Sequence, residues 1–136
     1  MYEIPRFIVL VLVLISHSDS LVLVKQSHID DTWGLAGGIV EYGNPVDATA
    51  TAYVKDQTGL DISLSRIVGV YTSEDDEVLT ITFQGEITGD KHSIGSDHQQ
   101  YAEFFSSEEL PTVEEVHYKY IEDYLLQNAL VIFSAR

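Results

Sequence analysis

The chain has 136 residues and no cysteine, which excludes disulfide bonds, thiolate zinc sites and cysteine nucleophiles and favours a reducing, cytoplasmic setting. Because 45% of its residues are apolar, it suits a single domain over residues 1–136 with one core. Its 22 acidic and 7 basic residues give a formal charge of -15, so its surface repels DNA, RNA and membranes of anionic lipid. A free nucleotide, which is also an anion, needs bound cations or a local basic pocket.

The first apolar segment, FIVLVLVLI over residues 7–15, fits either the core of a signal peptide or a buried strand. Its flank MYEIPR carries one Glu and one Arg, and no small-x-small cleavage site follows. Nine apolar residues are too few to cross a bilayer as a helix. The β-branched content favours a strand buried on both faces. We therefore predict a strand over 7–16 that forms a hairpin with a second strand over 21–25.

The next segment, WGLAGGIVEYGNP, carries four glycines and a proline, a composition that lets the backbone turn sharply or approach a ligand. It leads into a predicted helix from Pro45 to about Thr58. Asn44 is the predicted N-cap, Pro45 the first helical residue and Gly59 the C′ residue. The helix has an apolar face at helical spacing, made of Val46, Ala50, Tyr53 and Val54.

The second half of the chain predicts three strands followed by helix. The strands cover 63–72, 78–86 and 101–105, and an acidic turn over 73–77 joins the first two. Ser106 and Glu109 match a capping box that predicts a short helix, and Thr112 and Glu115 match another that opens a final helix to about Gln127. The resulting order β-β-loop-α-β-β-β-α predicts an α/β (α+β) fold with a mixed sheet between two helices.

The spacing of residues from Trp33 to Leu60 carries a family resemblance. Trp33, Leu35, Gly37 and Gly38 match a W-x-L-P-G lead-in with Ala36 in place of proline, and Gly59 and Leu60 close the segment. This segment resembles the signature G-x5-E-x7-R-E-U-x-E-E-x-G-U of the Nudix hydrolases, in which U is bulky and aliphatic. The segments RIVGVYTSEDDEVLTITFQGEITGD and YAEFFSSEELP also resemble later parts of that family. The resemblance implies a Nudix-like mixed sheet sandwiched between helices over most of the chain.

The residues at the family's polar positions depart from the signature. Asn44 stands for the first glutamate, Ala52 for the arginine, and Tyr53, Asp56 and Gln57 for the later glutamates. Residues 53, 56 and 57 share one helix face, where three carboxylates would hold Mg²⁺ against a diphosphate. Here that face offers one phenol, one carboxylate and one amide, which predicts weak Mg²⁺ binding and impaired hydrolysis.

Glu41 and Asp56 are the candidate catalytic residues, and with Asp97 they are the candidate metal ligands; a Gly37 or Gly38 carbonyl could complete such a site. The alternatives are a solvated loop carboxylate for Glu41 and an exposed helix residue for Asp56.

The candidate ligand-binding residues are Gly37, Gly38, Trp33 and Tyr53. Trp33 has two interpretations, stacking on a base or closing the core, and Tyr53 likewise stacks on a ligand or packs under the loop. A transition-metal site is a further, less favoured interpretation of four residues, Asp90, His92, Asp97 and His98.

Three hypotheses of function follow. The first is a Nudix-fold protein that has lost most diphosphate hydrolysis and binds a small, nucleotide-like ligand or a protein partner, without a cofactor. The second is a divergent Mg²⁺-dependent Nudix hydrolase acting on a diphosphate-linked small molecule. The third is a structural subunit that assembles, for example as a homodimer, through the apolar segment ALVIF over residues 129–133.

Overall fold

The computed structural model describes residues 6–26, 29–72, 77–95 and 101–129. Within these ranges seven strands form one mixed sheet, and two α-helices pack against it. The strands are β1 (Ile8–His17), β2 (Ser20–Lys25), β3 (Trp33–Gly34), β4 (Ala36–Ile39), β5 (Ile62–Thr72), β6 (Val78–Ile87) and β7 (Ala102–Ser106). The helices are α1 (Val46–Thr58) and α2 (Glu115–Ala129), and a short 3-10 helix covers Lys91–Ser93.

Strand β1 lies at the centre of the sheet. It pairs in parallel with β6 and antiparallel with β2 and β4. Its residues 11–15 are at most 3% exposed, because neighbouring strands and helices cover both faces. The predicted buried strand is confirmed, and so is the hairpin, in which Ser16 pairs with Leu21 and His17 with Ser20.

The alternation of side chains along β1 divides the core into two clusters. Odd-numbered residues of β1 pack with α1, through Ala50 and Val54. Even-numbered residues pack on the opposite face with Tyr120, Ile121 and Tyr124 of α2. The predicted mixed sheet between two helices is therefore confirmed, and the two helices are separated by the thickness of the sheet.

The predicted start of α1 is wrong by one residue. The helix begins at Val46, and Pro45 occupies the N-cap with an extended backbone and no capping side-chain hydrogen bond. Asn44 therefore does not cap the helix; its N–H donates to the Glu41 carbonyl at 3.1 Å and closes a turn. The predicted end holds, since Gly59 adopts φ 83 and its N–H donates to the Lys55 carbonyl at 2.9 Å.

Both predicted capping boxes in the second half are wrong. Ser106 closes a turn instead of opening a helix: its hydroxyl accepts from the Glu108 N–H at 3.3 Å and its carbonyl from the Glu109 N–H at 3.0 Å. Thr112 lies in extended backbone beside β3, where its carbonyl accepts from the Trp33 N–H at 2.9 Å. Helix α2 consequently begins two residues later than an N-cap at Thr112 predicts, at Glu115.

The remaining predicted strands agree with β5, β6 and β7 to within one residue at each end. Residues 73–76 of the acidic turn, residues 96–99 of the polar loop and most of the ALVIF segment lie outside the described residues. No helix of the described part is long and apolar enough to cross a membrane.

Candidate ligand-binding cleft

A cleft of about 340 Å³ opens between α1 and the loop that follows β4. Two exposed carboxylates, Glu41 and Asp56, line it. The other lining residues are Ile39, Asn44, Thr49, Ala52 and Tyr53. Five of the seven lining residues are thus ones that the sequence analysis singled out, and four of them occupy positions of the family signature.

Gly37 and Gly38, which the sequence predicted as ligand-binding residues, are not part of the cleft lining, and the position of Gly37 accepts no other residue. Its φ is 149, and a Cβ atom built there would overlap the Val11 carbonyl oxygen. Only glycine tolerates both the positive φ and the close approach of β1. The backbone of Gly37 is consequently fixed against the central strand.

The side chain of Gln57 forms two hydrogen bonds with the backbone of Gly37. The Gly37 N–H donates to Gln57 Oε1 at 2.9 Å, and Gln57 Nε2 donates to the Gly37 carbonyl at 2.8 Å. A carboxylate cannot make the second bond, because it has no hydrogen to donate. We call this pair of bonds the Gly37–Gln57 clamp; it links α1 to β4.

Tyr53 forms the half-buried floor of the cleft. Its hydroxyl donates to the Ile39 carbonyl at 2.6 Å. A Cβ atom at Gly38 would lie 2.5 Å from Tyr53 Cζ, so the phenol ring packs directly on the glycine backbone. The ring thus packs under the loop and also lines the cleft, so a role in ligand stacking stays a prediction.

The electrostatic character of the cleft is acidic. Ala52, at the position of the signature arginine, is exposed and carries no charge. Among the residues that the structure describes, no lysine or arginine lines the cleft. The same part of the chain contains no group of three or more histidine, cysteine, aspartate or glutamate residues arranged to hold a metal ion.

The remaining candidates lie elsewhere. Trp33 is 6% exposed in the core cluster on the α2 face, in edge-to-face contact with Phe105 at a centroid distance of 4.9 Å. Asp90 caps the 3-10 helix and lies 3.0 Å from Nδ1 of His92. Asp97 and His98 lie outside the described residues, so the predicted metal ligand Asp97 stays a prediction.

A profile of the NUDIX domain matches residues 5–124, which is most of the chain. The chain belongs to the NUDIX family. An ADP-ribose pyrophosphatase of Methanocaldococcus jannaschii is 30% identical over 118 residues, an alignment that covers 82% of this chain and 69% of the relative. Diphosphoinositol polyphosphate phosphohydrolase 3-alpha of Mus musculus is 29% identical over 111 residues, covering 76% and 68%.

Solved structures of Nudix proteins share the fold. An ADP-ribose pyrophosphatase of Streptococcus suis superposes with a TM-score of 0.74 at 21% identity, covering 93% of this chain and 92% of that one. A Nudix hydrolase of Nitrosomonas europaea gives 0.77 at 14% identity, covering 95% and 74%. At these identities the likeness concerns the fold alone.

Membership of the NUDIX family connects the Gly37–Gln57 clamp with metal binding. Hydrolases of the family generally use Mg²⁺ or a similar divalent metal, and Gln57 stands where the signature has a glutamate. The sequence shows glutamine at this position, but the sequence analysis did not predict its hydrogen bonds to Gly37. The signal that could have revealed them was an amide, with both a donor and an acceptor, on the helix face that must pack against the glycine loop.

Proposed function

We propose that this Nudix chain has lost most or all diphosphate hydrolysis and that its cleft binds a small, nucleotide-like molecule. The relatives named ADP-ribose pyrophosphatase and diphosphoinositol polyphosphate phosphohydrolase support a ligand that carries linked phosphates. The cleft of about 340 Å³ between α1 and β4 supplies the space for part of such a ligand.

The Gly37–Gln57 clamp carries this proposal. Mg²⁺ requires oxygen ligands at about 2.0–2.1 Å in octahedral geometry. In this chain the Gly37 carbonyl oxygen accepts an N–H hydrogen from Gln57 at 2.8 Å, so the amide group takes the place between the two residues that a cation would need. The residues present therefore do not fit the metal on which the family's hydrolases depend.

The charges of the cleft support the same conclusion. Attack of water on a diphosphate requires neutralisation of the phosphate charge and an oriented nucleophile. The cleft lining offers the carboxylates Glu41 and Asp56 and no positive side chain within the described residues. On a chain of formal charge -15, these groups repel a bare diphosphate and do nothing to stabilise its transition state, so the linked phosphates of a bound ligand must carry their own cations or lie outside the cleft lining.

A divergent Mg²⁺-dependent hydrolase is the second candidate, because Glu41 and Asp56 line the same cleft. In that case the two carboxylates hold the ion, with Asp97 as a third ligand, and Glu41→Gln and Asp56→Asn abolish a measurable activity. Under the first proposal the same two variants change ligand binding and leave no activity to lose.

The first expected result concerns Mg²⁺. Calorimetry is expected to show a Kd for Mg²⁺ in the millimolar range or weaker, which corresponds to a binding free energy of about -4 kcal/mol at best. The reason is that Asp56 is the single carboxylate among residues 53, 56 and 57. Asp47→Ala is the matched control, because it removes an exposed carboxylate from the first turn of the same helix. Micromolar binding that disappears in Asp56→Ala but persists in Asp47→Ala contradicts the proposal.

A further inference from the structure

The segment from Trp33 to Leu35, which leads into the Gly37–Gln57 clamp, is hydrogen-bonded by residues at and before the start of α2, on the opposite face of the sheet. Residues just before α2 pair with Trp33: its N–H donates to the Thr112 carbonyl and its carbonyl accepts from the Glu114 N–H, each at 2.9 Å. One helical turn later, His117 Nδ1 accepts from the Leu35 N–H at 2.9 Å. A side chain of α2 therefore replaces a sheet partner for the backbone between β3 and β4.

His117 is held in one protonation state by this contact. A backbone N–H can only donate, so Nδ1 must be unprotonated, and the hydrogen of the neutral ring lies on Nε2. The residue is 8% exposed. Gly34 makes the approach possible, because a Cβ atom there would lie 2.5 Å from His117 Nδ1. Protonation would place two N–H donors face to face in a buried contact, which is unfavourable.

The segment held by His117 is continuous with the clamp. Leu35 is followed by Ala36 and Gly37, which pair with Val13 and Leu12 of β1. Two residues after the His117 contact, the Gly37 peptide is bonded by Gln57 from α1. A single short segment is thus bonded by α2 on one side and by α1 on the other.

We propose that neutral His117 is a positioning residue for the cleft: it holds Leu35 in place, and its protonation loosens the Gly37–Gln57 clamp on the far side of the sheet. The effect of His117 protonation on the clamp is argued from geometry alone. Any effect of His117 on ligand binding rests in addition on the proposed function. His117 itself belongs to neither the cleft lining nor the clamp.

The groups around His117 set the direction of the pH dependence. Burial lowers the pKa of His117, and the Glu114 carboxylate, 3.9 Å from Nε2, raises it by less. The ring of Tyr120 lies at 6.2 Å between centroids, and the side chain of Gln26, near Gly34 on the strand side, is uncharged. Because the folded pKa lies below the unfolded value of about 6.5, the stabilisation is complete above that pH. It is lost as the pH falls below about 6.5 toward the folded pKa.

The test is a nitrogen-15 NMR titration of the protein without ligand, from pH 8 downward until the ring resonances of His117 show that it is protonated. The Leu35 amide and the Gln57 side-chain amide are expected to shift together with the titration of His117. Exchange of the Leu35 amide hydrogen, corrected for the intrinsic pH dependence, is expected to accelerate by about tenfold or more once His117 is protonated. Unmoved Leu35 and Gln57 resonances through that titration overturn the proposal without need of any variant.

Two variants distinguish a positioning role of His117 from simple packing. His117→Gln keeps an oxygen acceptor but has no titrating ring, so the resonances of Leu35 and Gln57 should no longer shift with pH. His92→Gln changes an exposed histidine and should leave the pH-dependent shifts of both resonances as they are in the unmodified protein. Persistence of the titration in His117→Gln contradicts the proposal. A thermal-shift assay with ADP-ribose as the probe tests ligand binding separately: if ADP-ribose does not bind at any pH, it is not the ligand of the cleft, while the resonances still decide the role of His117.

Discussion

Gln57→Glu is expected to destabilise the protein by about 2 kcal/mol without divalent cations and to make its stability depend on Mg²⁺. The substitution removes the donor that bonds the Gly37 carbonyl at 2.8 Å and places a carboxylate oxygen beside that carbonyl oxygen. Two facing acceptors repel each other, but together with Asp56 they form an oxygen-rich site for a hard cation. Thermal or denaturant unfolding with and without Mg²⁺ measures both effects.

Gln57→Met is the matched control for this experiment. It removes both hydrogen bonds to Gly37 and adds no charge, so it should lower the free energy of unfolding to a similar extent with or without Mg²⁺. Full stability of Gln57→Glu in the absence of Mg²⁺, with no response to the ion, means that the clamp is not what keeps a cation out of this cleft.

Gly37→Ala is expected to cost more than about 3 kcal/mol of the free energy of unfolding, which is large for one methyl group. The methyl group would overlap the carbonyl oxygen of Val11 in the central strand, and a φ of 149 is strained for any L side chain. Relief requires β4 to move away from β1, which breaks its pairing and draws Gly37 out of reach of Gln57. Denaturant unfolding monitors the loss.

Gly43→Ala is a matched control for the backbone strain. Gly43 has a φ of 87, but nothing lies within 4 Å of a Cβ atom built there. Its substitution should therefore cost only about 1 kcal/mol, the strain of the left-handed conformation. Equal losses at the two glycines contradict the argument that contact with Val11 makes Gly37 indispensable.

The sequence predicted the parts of the fold that depend on hydrophobic pattern. The β-branched run in residues 7–15 required cover on both faces, and β1 has it. The end of α1 at Gly59 was predicted because only a residue that tolerates positive φ suits that position. The resemblance between Trp33 and Leu60 then placed these elements in a Nudix fold, which the family match supports.

The predicted caps failed because capping competes with contacts that the sequence does not display. Thr112 has the residue type of an N-cap, yet its backbone pairs with Trp33, and that pairing is possible only because the chain returns to β3 from far away in sequence. Asn44 has the same type, but a turn from Glu41 uses its backbone N–H. Local propensity is overridden in both cases by tertiary hydrogen bonds.

The sequence singled out several residues that line the cleft, but it did not reveal the hydrogen bonds around them, and Gly37, Gly38 and Trp33 do not line the cleft. Spacing alone brought Tyr53, Asp56 and Gln57 to one helix face, and the structure places the first two in the cleft with Glu41. That Gln57 turns to the Gly37 peptide depends on the distance between α1 and β4. The role of His117 depends on the packing of α2, and no motif marks it.

Turnover by the unmodified protein tests the central claim most directly. Purified protein with millimolar Mg²⁺ should be offered ADP-ribose, nucleoside triphosphates and dinucleoside polyphosphates, and phosphate-containing products should be measured. Loss of one group that touches the reacting phosphates costs about 3–5 kcal/mol of barrier, and this chain departs from the signature at five polar positions, 44, 52, 53, 56 and 57. The expected turnover is about 0.1 per second or slower, two or more orders of magnitude below a typical enzyme. A turnover of about 1 per second or faster on any of these substrates contradicts the account and favours a divergent hydrolase built on Glu41 and Asp56.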